Sequence, residues 1–275
     1  MSPALEVTGL GVRYRRTWAL RDCSLSVPAG RVAALVGPNG AGKTTLMHVA
    51  VGLLRPSRGT VRVAGAAAFV AQDKPLYESF TVAEMLAFGR RMNTRWDGAA
   101  AAVRLAGLGI PPERKVSALS GGQQAQVAVT LALASRPDLL VLDEPLANLD
   151  PLARHDVIRV IMAEVADREL TVLLSSHVVS DLEETCDWLI VLNGGACRSA
   201  ATSRSCSTGT TCSPGPTGRR RRGPGWWARA VPAGRSACWS GARSRSTRAG
   251  RRGAPGWRSS SWVTCAAPGR RRCRG

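Results

Sequence analysis

No stretch of this sequence approaches the roughly 18–20 consecutive apolar residues needed to cross a bilayer. The opening Met1-Ser2-Pro3-Ala4-Leu5-Glu6 has neither a basic segment nor an apolar core, so no secretory leader is expected. Residues 196–275 hold six cysteines but no C-x-x-C spacing and no His, which leaves a zinc site there without support. That region also lacks Lys, Asp, Glu, Leu, Ile, Met, Phe, Tyr, Asn and Gln, so it has almost nothing from which to build a core. The formal charge of +19 resembles that of a nucleic-acid or membrane-surface binder. Its distribution says otherwise: residues 196–275 carry 18 Arg, whereas residues 1–195 hold 20 basic and 19 acidic side chains. The first part is electrostatically ordinary, and no nucleic-acid partner is expected for it.

The rest of the chain is organised around Val32–Val36 and the segment that follows it, Gly37-Pro38-Asn39-Gly40-Ala41-Gly42-Lys43-Thr44-Thr45. An apolar run feeds a glycine-rich turn, and Leu46, Val49, Ala50 and Leu53 continue at helical spacing. This is the phosphate-binding loop, G-x-x-x-x-G-K-[ST]. The glycines let successive N–H groups point inward at phosphate oxygens, and the helix N-terminus adds partial positive charge. Lys43 is suited to reach the β- and γ-phosphates, and the Thr44 hydroxyl to ligate Mg²⁺.

Along the chain, Leu5–Val7 and Cys23–Val27 are expected as short strands of an antiparallel lead-in. Val61–Val63 and Ala67–Ala71 are expected as strands, the second ending at Gln72. Residues 73–118 read as a small helical insert: Thr81 with Glu84 three residues on is a capping-box signature, and a second helix runs Gly98 to Leu105. A helix then starts at Ser120-Gly121-Gly122. Strand Leu139–Leu142, helix 151–166, strand Thr171–Leu174, helix Ser180–Cys186 and strand Leu189–Leu192 follow. The alternating order predicts an α/β fold, a P-loop core whose parallel sheet has helices on both sides.

Leu139–Leu142 delivers Asp143-Glu144 at a strand end, where open α/β sheets place ligand chemistry. Asp143 is suited to hold Mg²⁺, and Glu144 to take a proton from the water that attacks the γ-phosphate. Leu119-Ser120-Gly121-Gly122-Gln123 offers a second anion cradle at a helix N-terminus.

This pentapeptide, after the phosphate loop and before Asp143-Glu144, closely resembles the signature of ABC-type ATPases. The resemblance covers residues 4 to about 195. It implies ATP and Mg²⁺ as ligands and a homo- or heterodimer of ATPase domains closed head-to-tail. The signature of each subunit would bind ATP held by the other. It implies separate transmembrane permease subunits on another chain, and a peripheral place at the cytoplasmic face of the cell membrane. Residue by residue, Tyr14 matches the aromatic that stacks on adenine. Gln72 matches the glutamine that senses Mg²⁺ and the attacking water. Ala147-Asn148-Leu149-Asp150 matches the loop at the dimer interface, with Asp150 its key acid, and His177 matches the histidine at the γ-phosphate. Ala125-Gln126 and Ala147-Asn148 depart from the commoner Gln-Arg and Ser-Gly without removing a catalytic group. The expected function is to power a transporter, with export favoured by the compact insert. The alternative is a soluble ABC-type ATPase acting on nucleic acid or the ribosome. DNA-repair types need a long coiled-coil insertion, whereas only 46 residues separate Gln72 from Leu119; translation-factor types carry two cassettes, and this chain has one.

From Ala196 onward only nine residue types occur, all with GC-rich codons, and five of the residues are Trp. One reading is a disordered Arg/Gly/Ser tail that binds RNA or anionic lipid. The other is a high-GC gene read out of frame from near Gly195. GC-rich codons for Ala196–Ser213, read from the third base, can spell LPVRGDVEELLDRHHLL, which resembles the short strand, Gly-Asp and acidic-leucine helix that follow the last core strand in the family. Sequencing the gene tests this: the alternative frame after Gly195 is expected to stay open, and an early stop defeats the frameshift.

Overall fold

The computed structural model describes residues 2–147, 149–176 and 185–202. Two sheets form. The first is antiparallel, in the order β2-β1-β4, from β1 (Pro3–Tyr14), β2 (Thr17–Pro28) and β4 (Arg58–Val63). The second has six strands in the order β5-β6-β7-β3-β8-β9. Its strands β5 (Ala67–Val70), β6 (Leu139–Leu142), β7 (Thr171–Ser175), β3 (Val32–Val36) and β8 (Trp188–Asn193) run parallel, and β9 (Ala196–Thr202) pairs antiparallel with β8.

The central strands are continuous aliphatic runs because both of their faces are covered. Ala33, Leu35, Leu139, Val141, Leu173, Ile190 and Leu192 point into one core, shared with the antiparallel sheet and α1 (Lys43–Ala50). Their alternates Val32, Ala34, Val36, Leu140, Leu142, Val172, Leu174 and Val191 point into the other. That second core is closed by α4 (Gly121–Ala134) and α5 (Pro151–Arg168). Period-two alternation is therefore present, but both phases are apolar.

Residues 73–118 hold α2 (Val82–Met92), α3 (Gly98–Gly107) and a 3-10 turn at Val116–Ala118, so the insert is helical. Thr81 and Glu84 make the capping box reciprocally, the Thr81 hydroxyl accepting from the Glu84 N–H and the Glu84 carboxylate from the Thr81 N–H. Val82, Leu105, Ile110 and Leu119 form a separate core with Val127 of α4. Ion pairs fasten this insert to the sheet side: Arg95 to Asp138, Arg136 to Asp97, and Arg104 to Glu164 of α5.

Two expectations change, and a third falls outside the described residues. The lead-in strands are not short: β1 and β2 are each 12 residues long. Bulges between Val7 and Val12, where Gly9 and Gly11 lie, scramble the alternation that a long strand would otherwise show. The sheet also runs past residue 195. β9 pairs with β8 in the region whose composition offered almost nothing from which to build a core, and the Gly195 carbonyl accepts from Arg21 N–H at 2.8 Å. The helix expected at Ser180–Cys186 falls, at 180–184, outside the described residues.

Glu164 sits between two guanidiniums, accepting from Arg104 and from Arg168 at 2.6 Å. Desolvation pushes its carboxyl up, but the hydrogen bonds from Arg168 and Arg104 and their charges outweigh it, so its pKa lies below the ordinary glutamate value. A depressed folded-state pKa adds stability above the unfolded value and loses it as pH falls through the folded one. Glu164→Gln is therefore expected to lower stability at pH 7 by about 1 kcal/mol, with solvent screening holding it there. The gap should close as pH drops below the glutamate range; urea unfolding of both proteins across pH checks it.

Candidate nucleotide site

The C-terminal ends of β5, β6, β7 and β3 lie side by side, because Val70 pairs with Leu142, Leu142 with Leu174, and Leu35 with Ser175. Each strand hands its next residues to the same edge. From β3 comes Gly37–Thr45, from β5 Gln72, from β6 Asp143-Glu144, and from β7 Ser175-Ser176. Open α/β sheets place ligands at this edge.

The loop's glycines have identifiable reasons. A Cβ at Gly37 would run into the Leu192 carbonyl, and one at Gly42 would lie 2.7 Å from both the Ala19 carbonyl and Leu20 Cδ2. Gly40 and Gly42 also hold φ of 77° and 99°, the left-handed region. Pro38, Asn39 and Thr44 are exposed, Thr45 is half-buried, and Ala41 is buried in the core. The Lys43 ammonium is buried against the loop and donates to the Gly37 carbonyl at 2.8 Å and to Pro38 at 3.3 Å.

The helix caps set this loop apart. Thr81, Asp97, Ser120 and Asp150 each accept a first-turn N–H with a side-chain oxygen, capping α2, α3, α4 and α5. Among the described α-helices only α1 has no side-chain cap, and its first turn carries no acid. No side-chain cap engages its leading N–H groups and no carboxylate of its first turn competes for them, an arrangement suited to an anion.

On the acid side, Asp143 is 4% exposed and its Oδ1 accepts from the Ser175 hydroxyl at 2.7 Å. The Ser175 oxygen in turn accepts from the Glu144 N–H at 2.8 Å, and Glu144 stands at φ 46°. Thr44 and Asp143 supply hard oxygen donors from opposite sides of the edge. A Mg²⁺ ion sharing its shell with nucleotide phosphates needs only one or two such protein ligands, so the residues fit it. Among the described residues no group of three or more His, Cys, Asp and Glu forms an all-protein metal cage. Gln72, on the exposed segment after β5, reaches the same edge.

Tyr14 closes the β1–β2 hairpin opposite Thr17 and is 49% exposed. That hairpin abuts the loop, since Ala19 and Leu20 are what the Gly42 position touches. Leu119 is buried in the insert's core, and Ser120 and Gln123 form a capping box at α4. Gly121 is open and Gly122 lies against Ala153, with its Cβ position 3.2 Å from that methyl. Asp150 caps α5, accepting from Ala153 N–H at 2.9 Å. His177 and Asn148 lie outside the described residues. His48 packs edge-on against Phe69, with ring centroids 5.3 Å apart.

Thiol chemistry has no place in this arrangement. Burial pushes the Cys186 thiol up to about 12, and a hydrogen bond with Cys197 together with burial raises Cys23. One contributor was overlooked in the sequence: Ser175, which lies fully buried between the two acids' anchoring strand and the loop's strand. Its only signal was a hydroxyl ending an otherwise apolar strand, Val172-Leu173-Leu174-Ser175.

A family model described as ABC transporter matches residues 20–147. Nod factor export ATP-binding protein I of Rhizobium johnstonii is 35% identical over 213 residues, covering 71% of this chain and 68% of the relative. Aliphatic sulfonates import ATP-binding protein SsuB of Corynebacterium glutamicum is 34% identical over 207 residues, covering 74% and 85%. A solved structure titled as the ATP binding subunit of an ABC transporter superposes with TM-score 0.68 at 27% identity, covering 74% of this chain and 92% of that one. No helix among the described residues is long and apolar enough to cross a membrane. With its phosphate loop, acidic pair and signature on this fold, the chain belongs to the ABC transporter family as an ATP-binding subunit, an ATPase of the kind coupled to transport.

Proposed function

We propose that this subunit works by ATP-driven closure of two such domains and reopens on hydrolysis at Glu144. The observation that carries the reading is the shared strand edge, with the uncapped N-terminus of α1 on one side and the Asp143-Glu144 pair on the other. Lys43 moves from the Gly37 and Pro38 carbonyls to the β- and γ-phosphates, and the first-turn N–H groups of α1 take phosphate oxygens. Thr44 and Asp143, with Gln72 nearby, would hold Mg²⁺, which would supply charge neutralisation at the phosphates. Glu144 accepts the proton of the attacking water, His177 and Gln72 orient the reacting groups, and Tyr14 stacks on adenine. Catalysis of this type is positioning and electrostatics rather than covalent chemistry.

In the closed pair, Leu119–Gln123 of one copy faces the loop of the other. Gly121 and Gly122 supply open first-turn N–H groups there, because the cap of α4 already engages Ser120 and Gln123. Asp150 lies at the seam. A separate membrane-spanning subunit docks on the chain at the cytoplasmic face, and the insert at 73–118 passes the motion to it. Export is the direction we favour. It rests on the compact insert and on likeness to export-named relatives, and the import-named relatives at similar identity weigh against it.

Glu144→Gln is expected to retain ATP binding, to lose steady-state hydrolysis by at least about 100-fold as for a removed general base, and to run as a dimer with ATP in size-exclusion chromatography. Turnover at the unsubstituted rate would remove Glu144 from that role. Affinity purification from membranes is expected to bring down an integral membrane subunit. Recovery of ribosomes or DNA in its place would overturn the transport reading.

A further inference from the structure

We propose that Ser175 is a positioning residue for ATP hydrolysis, whose single hydroxyl locks Asp143 and Glu144 into one unit and aims them at the metal and the attacking water. The proposal deepens, and rests on, the reading of those two acids given above.

The geometry leaves this hydroxyl little choice. A serine has one proton to donate and lone pairs to accept with. Its oxygen accepts from the Glu144 N–H at 2.8 Å, and the proton goes to Asp143 Oδ1 at 2.7 Å. Ser175 is 0% exposed and Asp143 4%, so water cannot replace either bond. One carboxylate oxygen is thereby pinned, and the orientation of the whole Asp143 group is fixed. The other bond steadies a backbone that needs steadying, since Glu144 is a non-glycine residue at φ 46°. Losing it frees the Glu144 backbone to leave the left-handed region, which swings the carboxylate away from its place.

Position in the sheet gives the contact a second consequence. β7 lies between β6, which carries the acids, and β3, which carries the loop. Ser175 is paired with Leu35, one residue before the end of β3, and Ser176 N–H donates to the Leu35 carbonyl at 3.4 Å. The same residue that pins the acids is therefore registered against the phosphate loop. A plain packing role would be met by the aliphatic side chains that fill the preceding three positions of the strand.

The test uses the full chain with Ser175→Ala, Ser175→Cys (near-isosteric, a weak donor and acceptor) and Ser175→Thr, which keeps the hydroxyl. ATP affinity is measured with Mg²⁺ chelated and again during a MgCl₂ titration, followed by hydrolysis and a thermal melt. In the Ala and Cys variants, metal-free ATP affinity is expected to stay near the unsubstituted value. Their Mg²⁺ half-saturation should rise and kcat should fall, each by about 10-fold or more, the scale of a hydrogen bond to a charged group lost in a dry site. Ser175→Thr should recover most of both. Unchanged Mg²⁺ dependence and kcat in a folded Ala or Cys variant overturns the proposal. So does an equal loss of ATP binding with and without Mg²⁺ in all three variants, which marks a purely structural residue. Glu144→Gln run alongside separates the levels: full hydrolysis there defeats the underlying reading, whereas a dead Glu144→Gln beside an unaffected Ser175→Ala defeats only this proposal.

Discussion

Strands β3, β6 and β7 are buried on both faces, and that constraint decides where charge can sit. No polar side chain along Val32–Val36 or Leu139–Leu142 could be satisfied, so polar chemistry waits until each strand ends. Parallel direction puts those endings on one edge, and register brings them level. Gly37, Asp143 and Ser175 lie at the same sheet edge because they are the first or last residues that the two cores do not claim as apolar. Asp143 and Ser175 are themselves buried, and they satisfy each other. Lys43 is buried too and uses the loop carbonyls in the same way.

The insert is joined to this machinery by two different kinds of contact. Its core is apolar and shared with α4 through Val127, so Leu119 is anchored in the insert, while α4 also packs on the sheet through Ala125, Ala128, Val129 and Leu133. Its rim is ionic: Arg95, Asp97 and Arg104 reach Asp138, Arg136 and Glu164, which flank β6 or lie on α5. Asp138 is the most connected of these. It accepts from the Ala66 N–H as well as Arg95, and those bonds hold its carboxyl low against the desolvation that pushes it up. Apolar packing fixes the insert to the signature helix, while exchangeable ion pairs meet the strand that carries the acids. Such pairs, half-exposed at Arg95 and Asp138, cost little to remake in a new geometry.

Much of this was legible in the sequence for physical reasons. The phosphate loop is spelled by close approaches that only glycine permits at Gly37 and Gly42. Thr81 and Glu84 announce a helix start because the capping box needs those side chains at that spacing. The doubly apolar runs announce central strands. What was hidden has equally definite causes. Bulges in β1 break the alternation by which its length would be counted. β9 is held by backbone hydrogen bonds to β8, which ask little of side-chain identity, so the composition of Ala196–Thr202 concealed a strand. Ser175 was unreadable because its role depends on the register of β7 between β6 and β3, a fact of tertiary structure.

The caps tell the rest. Among the described α-helices, four N-termini are closed by their own side chains, and α1 has no such cap. α4 is an intermediate case: its cap satisfies the Gln123 N–H and, in return, the Ser120 N–H, which leaves the two glycine N–H groups of the first turn. A helix start built this way is rigid yet still has donors to offer, which is what a second phosphate contact requires. On the function proposed above, one chain would hold a complete anion cradle at Gly37–Thr45 and a partial one at Ser120–Gln123. Leu119, which leads into the second segment, is buried in the insert's core, and Gly37 follows directly on β3 of the sheet. In the proposed closed pair, nucleotide held by one sheet would have to recruit the insert of the other copy, and that requirement is what turns phosphate chemistry into movement.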